Sequence, residues 1–270
     1  MSRPTESPPV AVVTGAGGGI GLELVAGLLA AGQDVLAVVR REESLAHLPR
    51  GAGPGRMVGL VADLASSDGR RSVRDTVQGE FGGLTALVNN AGIGMGSIRA
   101  DYYKRPVLAP EVEPGMVQRF LDVNACSPVA LSLELLSSFT QGWGRIINVG
   151  TSLTAMLRPG FLPYAMSKAA LESASAVLAK DLQGSGVAVC VLNPGGPVDT
   201  PMARRDEPEL QAKLISARVL VEPVCWAASR ASGEMINGKR LTATLWRKDD
   251  PAACLAPIGW PQLATDSAWR

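Results

Sequence analysis

Tyr164 and Lys168 stand four residues apart in "YAMSK", the interval that puts two side chains on one face of a helix. A free phenol, with a pKa of about 10, is a poor base at neutral pH. An ammonium beside it favours the phenolate and makes the tyrosine usable as a general acid or base. Upstream, in "GTSLTAMLRPGFLPYAMSK", Thr151 and Ser152 precede Tyr164 by thirteen and twelve residues. If a hydroxyl takes part in that chemistry, the spacing offers it at one of these two positions. Two neighbours compete for that place.

Such chemistry needs a scaffold, and short apolar runs alternate with stretches of helical period along the chain. Val10–Thr14, Asp34–Val39, Met57–Ala62, Leu84–Asn89, Arg145–Val149, Val187–Leu192 and Arg240–Leu245 read as strands. They are apolar on both faces, as strands covered by helices on both sides should be. Ile20, Leu24, Val25, Leu28 and Leu29 mark one helix that ends at Gly32, and another runs from about Pro163 to Asp181. The alternation predicts a single α/β domain, a Rossmann-type doubly wound parallel sheet of about seven strands. Residues 1–9 read as a flexible N-terminus and 249–270 as a tail outside the alternation. In such a sheet the ligand lies beyond the carboxyl ends of the strands.

Composition narrows the chemistry. The chain has 270 residues, 46% of them hydrophobic, and 26 basic against 25 acidic side chains. That balance argues against nucleic acid as partner. The cysteines at 126, 190, 225 and 254 are far apart and His47 is the single histidine. A Cys/His zinc site and a Ser-His-Asp triad are therefore excluded as readings, no metal is expected, and the cysteines read as buried thiols in a reducing cytosol. His47 reads as a surface or packing residue. The start has no basic-then-apolar signal and no run reaches the roughly 20 apolar residues of a membrane span, so a cytoplasmic protein is expected.

The first strand ends in "TGAGGGIGLEL", with glycines at 15, 17, 18, 19 and 21 around Ile20. In a strand-to-helix turn, glycines let the backbone approach a diphosphate that the helix N-terminus then holds. The spacing, from Gly15, Gly19 and Gly21, is G-x-x-x-G-x-G. It is neither G-x-G-x-x-G nor a P-loop. The second strand ends in Val39, Arg40 and Arg41. An acidic residue there would accept from a ribose 2′-hydroxyl; a guanidinium suits a 2′-phosphate instead. The expected cofactor is NADP(H) rather than NAD(H), with Arg40 ahead of Arg41 as the contact.

Five motifs together, "TGAGGGIG", "NNAG" at 89–92, Asn124 in "DVNACSP", "YAMSK" and "NPGGPVDTPM" at 193–202, resemble the short-chain dehydrogenase/reductase family over roughly residues 8 to 245. The resemblance implies that Asp63 and Leu64 flank the adenine. It also implies that Asn89, Ala91 and Gly92 line the adenosine side, and that Pro194, Gly195, Val198 and Thr200 lie near the nicotinamide. Lys168 would hold the nicotinamide ribose beside its effect on Tyr164. Asn124 would keep a water near Lys168, or else serve as a core asparagine that bends its helix. The family carries a serine three residues after the position of Asn148 and thirteen before the tyrosine. Both counts land on Thr151, whose methyl restricts χ1. A bulge after the strand would hand the role to Ser152.

Two departures shape the substrate side. The 31 residues between Gly92 and Asn124 exceed the family's usual connection. They carry Tyr102, Tyr103 and Lys104, either as a wall of the substrate site or as a surface excursion. "PGGPVDTPM" has one residue more than the usual spacing before Thr200, which puts its register in question. Residues 201–221 read as a mobile lid, and Met156, Leu157, Phe161, Pro163 and Met202 as apolar lining. The function implied is hydride transfer between NADP(H) and a carbonyl or secondary alcohol on a fairly hydrophobic small molecule. The alternatives are a non-catalytic NADP(H)-binding or regulatory protein, and an epimerase or dehydratase with tightly held cofactor. The resemblance also implies a dimer or tetramer, with Trp260 and Trp269 of the tail packing across a subunit boundary.

Overall fold

Valine-rich segments give the sheet its centre. Val10–Thr14 (β1) and Ala86–Asn89 (β4) are buried throughout, as are Gly144–Val149 (β5) and all but the first residue of Asp34–Val39 (β2) and Val187–Asn193 (β6). The computed structural model describes residues 8–139, 142–203, 208–229 and 231–259. Met57–Val61 (β3), Lys239–Thr242 (β7) and Leu255–Pro257 (β8) complete an eight-stranded sheet in the order β3-β2-β1-β4-β5-β6-β7-β8. The first seven are parallel, and the chain reverses direction across the sheet between β1 and β4. This is the doubly wound single-domain α/β fold expected, and the reversal opens the crevice where ligands bind.

Successive side chains of a strand leave on opposite faces, and each face has its own core. Ala11 and Val13 of β1 pack with Leu24, Leu28 and Val224 on the side of Ile20–Ala30 (α1) and Val221–Ser229 (α8). Val10 and Val12 pack with Val73, Val77 and Leu131 on the other side. That side is covered by Ser67–Phe81 (α2), by the helix made of Pro114–Leu121 (α3) and Ser127–Glu134 (α4), and by Leu162–Asp181 (α6). Helix α6 buries Ala165, Ser167, Ser175 and Ala179, small residues that let it lie close to the sheet. Short helices at Leu153–Met156 (α5), Pro208–Gln211 (α7) and Gly233–Ile236 (α9) fill connections.

Several expectations need correction. An eighth strand exists: β8 pairs antiparallel with β7, Leu241 opposite Leu255, so the tail up to Pro257 belongs to the sheet and covers an otherwise open edge. Strand β3 is the opposite edge and is only partly covered, with Val61 40% exposed. The seventh strand stops at Thr242 because 243–245 turn as a 3₁₀ helix. Pro9 is not a loose end, since its carbonyl accepts from Asp34 N at 2.8 Å. Within the expected lid, Ile215 bridges Val198, and Leu210, Ala217 and Leu220 are buried, while Gln211, Ala212, Lys213, Ser216 and Arg218 are exposed. Arg204 to Glu207 lie outside the described residues, as do Trp260 and Trp269. Cys126 is exposed rather than buried. His47 is exposed. Among the described residues no helix is long and apolar enough to cross a membrane.

Candidate active site

The glycine turn is built by three different constraints. Gly15 and Gly19 sit at φ +63° and +51°, a region that side chains other than glycine rarely occupy. A Cβ on Gly21 would fall 2.1 Å from Gly15 O, so the first turn of α1 can rest on the turn only without a side chain. Gly18 faces open space, and the Gly19 cap makes no side-chain bond to the N–H groups of α1. Gly21 N donates to Gly18 O at 3.0 Å, and the positive end of the α1 dipole faces the turn, where it favours an anion. Gly17 is pressed against Ser44, and Thr200 lies over Gly19, where a Cβ would meet Thr200 Cγ2 at 2.8 Å. Thr200 is buried and bonds Val198 O at 3.3 Å. Despite the extra residue, the segment after β6 thus folds back onto the turn.

Beside the turn a cleft is lined by Thr14, Gly15, Val39, Arg40, Asp63 and Leu64, and by Asn89 and Ala91 on its sheet side. Arg40 is in this lining; Arg41 is not, and its guanidinium pairs with Glu43 at 3.0 Å. Asn89 Nδ2 donates to Asn148 Oδ1 at 2.8 Å and to Ser132 Oγ at 3.1 Å, while its Oδ1 is buried without a partner. A cleft that runs from the glycine turn, with an orphan acceptor at Asn89 and a cationic rim at Arg40, fits an adenine nucleotide. After β6, Pro194 is buried and Gly195 adopts φ +93° against Thr244.

The catalytic candidates converge from four elements. Lys168 Nζ donates to Val149 O at 2.9 Å, which draws α6 onto the end of β5. A Cβ on Gly92 would lie 3.1 Å from Asn124 Oδ1 and 3.9 Å from Lys168 Nζ, so these three meet. Asn124 is buried in a π-helical turn, Asp122–Cys126, between α3 and α4. Its Oδ1 accepts from Ile93 N at 2.8 Å, and its Nδ2 donates to Ile93 O and to Ser167 Oγ, both at 3.0 Å. The π-helical turn that holds Asn124, a feature frequent at functional sites, thus lies beside Lys168.

The two hydroxyls are separated by the turn after β5. Ser152 is the N-cap of α5 and accepts from Ala155 N at 3.1 Å. Thr151 sets its hydroxyl beside the Tyr164 phenol. Burial raises the Tyr164 pKa and prevails, the Thr151 hydroxyl lowers it, and the nearby Tyr102 phenol raises it. Burial alone pushes Lys168 down to about 8.

The sequence is matched by a family model. The model described as short chain dehydrogenase covers residues 9–211. The chain belongs to the short-chain dehydrogenase/reductase family. A short-chain type dehydrogenase/reductase of Picea abies is 32% identical over 77% of this chain and 78% of its own length. The 2-(R)-hydroxypropyl-CoM dehydrogenase of Xanthobacter autotrophicus is 30% identical over 84% of this chain and 89% of its own. Among solved structures, a short chain dehydrogenase from Burkholderia cenocepacia in complex with NADP is 29% identical, with a TM-score of 0.75 over 87% of this chain and 95% of that one. The protein is thus an oxidoreductase of the short-chain dehydrogenase/reductase family.

Sequence reasoning missed several residues that hold this short-chain dehydrogenase/reductase site together. Thr14 Oγ1 accepts from Asn90 N and Ala91 N, both at 3.0 Å, and Asn90 Nδ2 donates to Thr14 O at 2.9 Å, which ties the end of β4 to the glycine turn. Asn148 Nδ2 donates to Ser175 Oγ at 2.8 Å, so a buried amide chain runs from α4 through β4 and β5 to α6. Polar residues inside otherwise apolar strands were the available signal. Of the expected apolar lining, Met156 and Pro163 are buried and Met202 rests on Gly94. Leu157 points to solvent at 79% exposure.

Lys168 also makes the cofactor-free protein sensitive to pH. Its ordinary value of 10.5 holds in the unfolded chain, against about 8 when folded. Between those values the unfolded state binds the extra proton, so stability rises with pH across the window. Below about 8 the cost of a buried ammonium is felt in full. Replacing Lys168 with methionine is expected to raise the unfolding free energy near neutral pH by ~1–3 kcal/mol, less the lost bond to Val149 O. The gain should shrink as pH approaches 10.5. Urea unfolding of both proteins at neutral and alkaline pH checks this; an equal difference at both would refute it.

Proposed function

We propose that the protein transfers hydride between NADP(H) and a carbonyl or secondary alcohol on a fairly hydrophobic small molecule. The observation that carries the reading is the Thr151 hydroxyl set beside the buried Tyr164 phenol, one helical turn ahead of Lys168. It brings a proton donor and a second hydroxyl to one point beyond β5. In reduction, the Thr151 hydroxyl and the Tyr164 phenol both hydrogen-bond the substrate oxygen. The bound nicotinamide supplies the hydride to the carbonyl carbon. Tyr164 gives its proton to the oxygen as the C–O double bond becomes single, and the product is the alcohol. The phenolate left behind is stabilised by the Lys168 ammonium and reprotonated from water; oxidation runs the same steps backward. Asn124, by holding Ile93 and Ser167, keeps Lys168 and Gly92 in register. Pro194, Gly195, Val198 and Thr200 close the crevice over the nicotinamide end.

Arg40 carries the cofactor preference. It lines the cleft and forms no ion pair among the described residues, so its guanidinium is available for a 2′-phosphate. Arg40→Ala is expected to raise the KM for NADPH by ~10–100-fold and leave that for NADH nearly unchanged. Arg41→Ala should alter neither much, because Arg41 is held by Glu43. Initial rates with both cofactors against a panel of ketones and aldehydes decide the matter. Equal use of NADH by the wild type would overturn the role given to Arg40, and tight NADPH binding without turnover would favour a binding protein.

A further inference from the structure

The protein has three tyrosines, and all three lie in one aromatic row that ends at the catalytic candidate. Tyr103 stands edge-on to Tyr102 at 6.5 Å, Tyr102 to Phe161 at 5.7 Å, and Phe161 to Tyr164 at 6.2 Å. Tyr102 and Tyr103 come from the long connection after β4, which is no surface excursion. Its Met95 and Val107 are buried with Phe120 of α3, and Tyr102, Phe161 and Tyr164 pack on that cluster. The connection is braced by the ion pair of Arg99 with Glu111. Gly96 and Gly94 leave room for what lies above them: a Cβ on Gly96 would meet the Tyr102 ring at 3.7 Å, and one on Gly94 would collide with Met202 at 2.7 Å. Arg158 covers the outer end, 4.5 Å from the Tyr103 centroid and 4.7 Å from that of Phe161.

The geometry points to Tyr102 as a positioning and specificity residue, whose ring forms with Phe161 and Met202 a wall for a planar aromatic group next to the substrate carbonyl. This rests on the carbonyl-reductase reading above. Ring edges and faces set at 69° and 82° accept a further ring in the offset or edge-to-face contacts that aromatic groups prefer. Two polar groups act on the Tyr164 phenol, the Thr151 hydroxyl after β5 and Tyr102 from the connection, while Lys168, one turn on along the same helix, gives its Nζ to Val149 O. Arg158 lies one ring further out. Of these, Tyr102 opposes ionisation of Tyr164. An aromatic substrate group seated on the wall would come between the two phenols and water.

With three tyrosines, ring-labelled ¹³Cζ tyrosine gives three resonances, each assigned by its own phenylalanine variant. On raising pH, the Tyr164 signal should titrate at lower pH in Tyr102→Phe than in the wild type, and unshifted in Tyr103→Phe. Tyr102→Ala should raise KM for aryl ketones by ~10-fold, with the KM values for alkyl ketones and NADPH little changed. An unshifted Tyr164 signal in Tyr102→Phe overturns the proposal, and so does an unchanged ratio of aryl to alkyl KM in Tyr102→Ala. If Tyr102→Ala fails to fold, the same ratio read in Tyr102→Leu and Phe161→Leu, both of which remove a ring of the wall, replaces it. A wild type that reduces no ketone overturns the reductase reading instead, and the phenol titration then decides this proposal by itself.

Discussion

Tyr164→Phe is expected to lower kcat for carbonyl reduction by roughly 10²–10⁴-fold, the contribution of a positioned proton donor, with little effect on NADPH binding. The ring remains, so its contact with Phe161 at 6.2 Å survives and only the hydroxyl is lost. The neighbouring pair then separates the two hydroxyls that the sequence left in competition. Thr151→Ala should cost ~10–100-fold in kcat, since its partner carries charge during the reaction, and Thr151→Ser should recover most of it. Ser152→Ala removes the cap of α5, whose Oγ accepts from Ala155 N. It should cost about 1 kcal/mol of stability and leave kcat within a few-fold. Steady-state kinetics with thermal melts on the four variants test this. A Tyr164→Phe enzyme with a tenth of wild-type kcat would remove Tyr164 from the proton step, and a larger kcat loss in Ser152→Ala than in Thr151→Ala would exchange the roles.

What could be read in the sequence follows the range of the forces involved. Strands β1 and β2 were bounded to the residue because apolar β-branched runs and the turns after them are local signals. The Tyr164–Lys168 pair was legible because helical spacing fixes its face whatever the rest of the fold does. The choice between Thr151 and Ser152 was not, because it depends on which hydroxyl the short helix after β5 takes as its cap. β8 was missed for a similar reason. Three residues with a proline show no period, and only the open edge of β7 gives them a partner. The burial of Leu210, Ala217 and Leu220 within the expected lid was not legible either, because contacts remote in sequence hold them in the core. The row from Tyr103 to Tyr164 joins residues some sixty positions apart, and no local pattern records it.

The same helix face that carries Tyr164 and Lys168 carries Glu172 one turn further on, and there the largest effect on stability is expected. Glu172 pairs with Arg240 of β7, with both side chains at least nine-tenths buried, and Glu172 Oε1 also accepts from Gly259 N at 2.9 Å. The remaining oxygen, Oε2, and Arg240 Nε have no partner. Such a pair stabilises little over apolar residues, yet losing one member strands a charge in the core. Arg240→Met is expected to cost ~3–5 kcal/mol, as is Glu172→Leu. The double variant should recover most of that loss, because neither charge is then left alone. Urea unfolding at one fixed protein concentration measures all three, the concentration mattering if the chain self-associates. Glu172→Leu should also speed hydrogen exchange at the Gly259 amide, since that N–H loses its acceptor, and so loosen the segment that holds β8 against β7. Two single variants whose costs simply add in the double would mean that the charges do not act as a pair. The catalytic helix would then be held to the sheet chiefly by Lys168 on Val149 O and by the amide chain through Asn148 and Ser175.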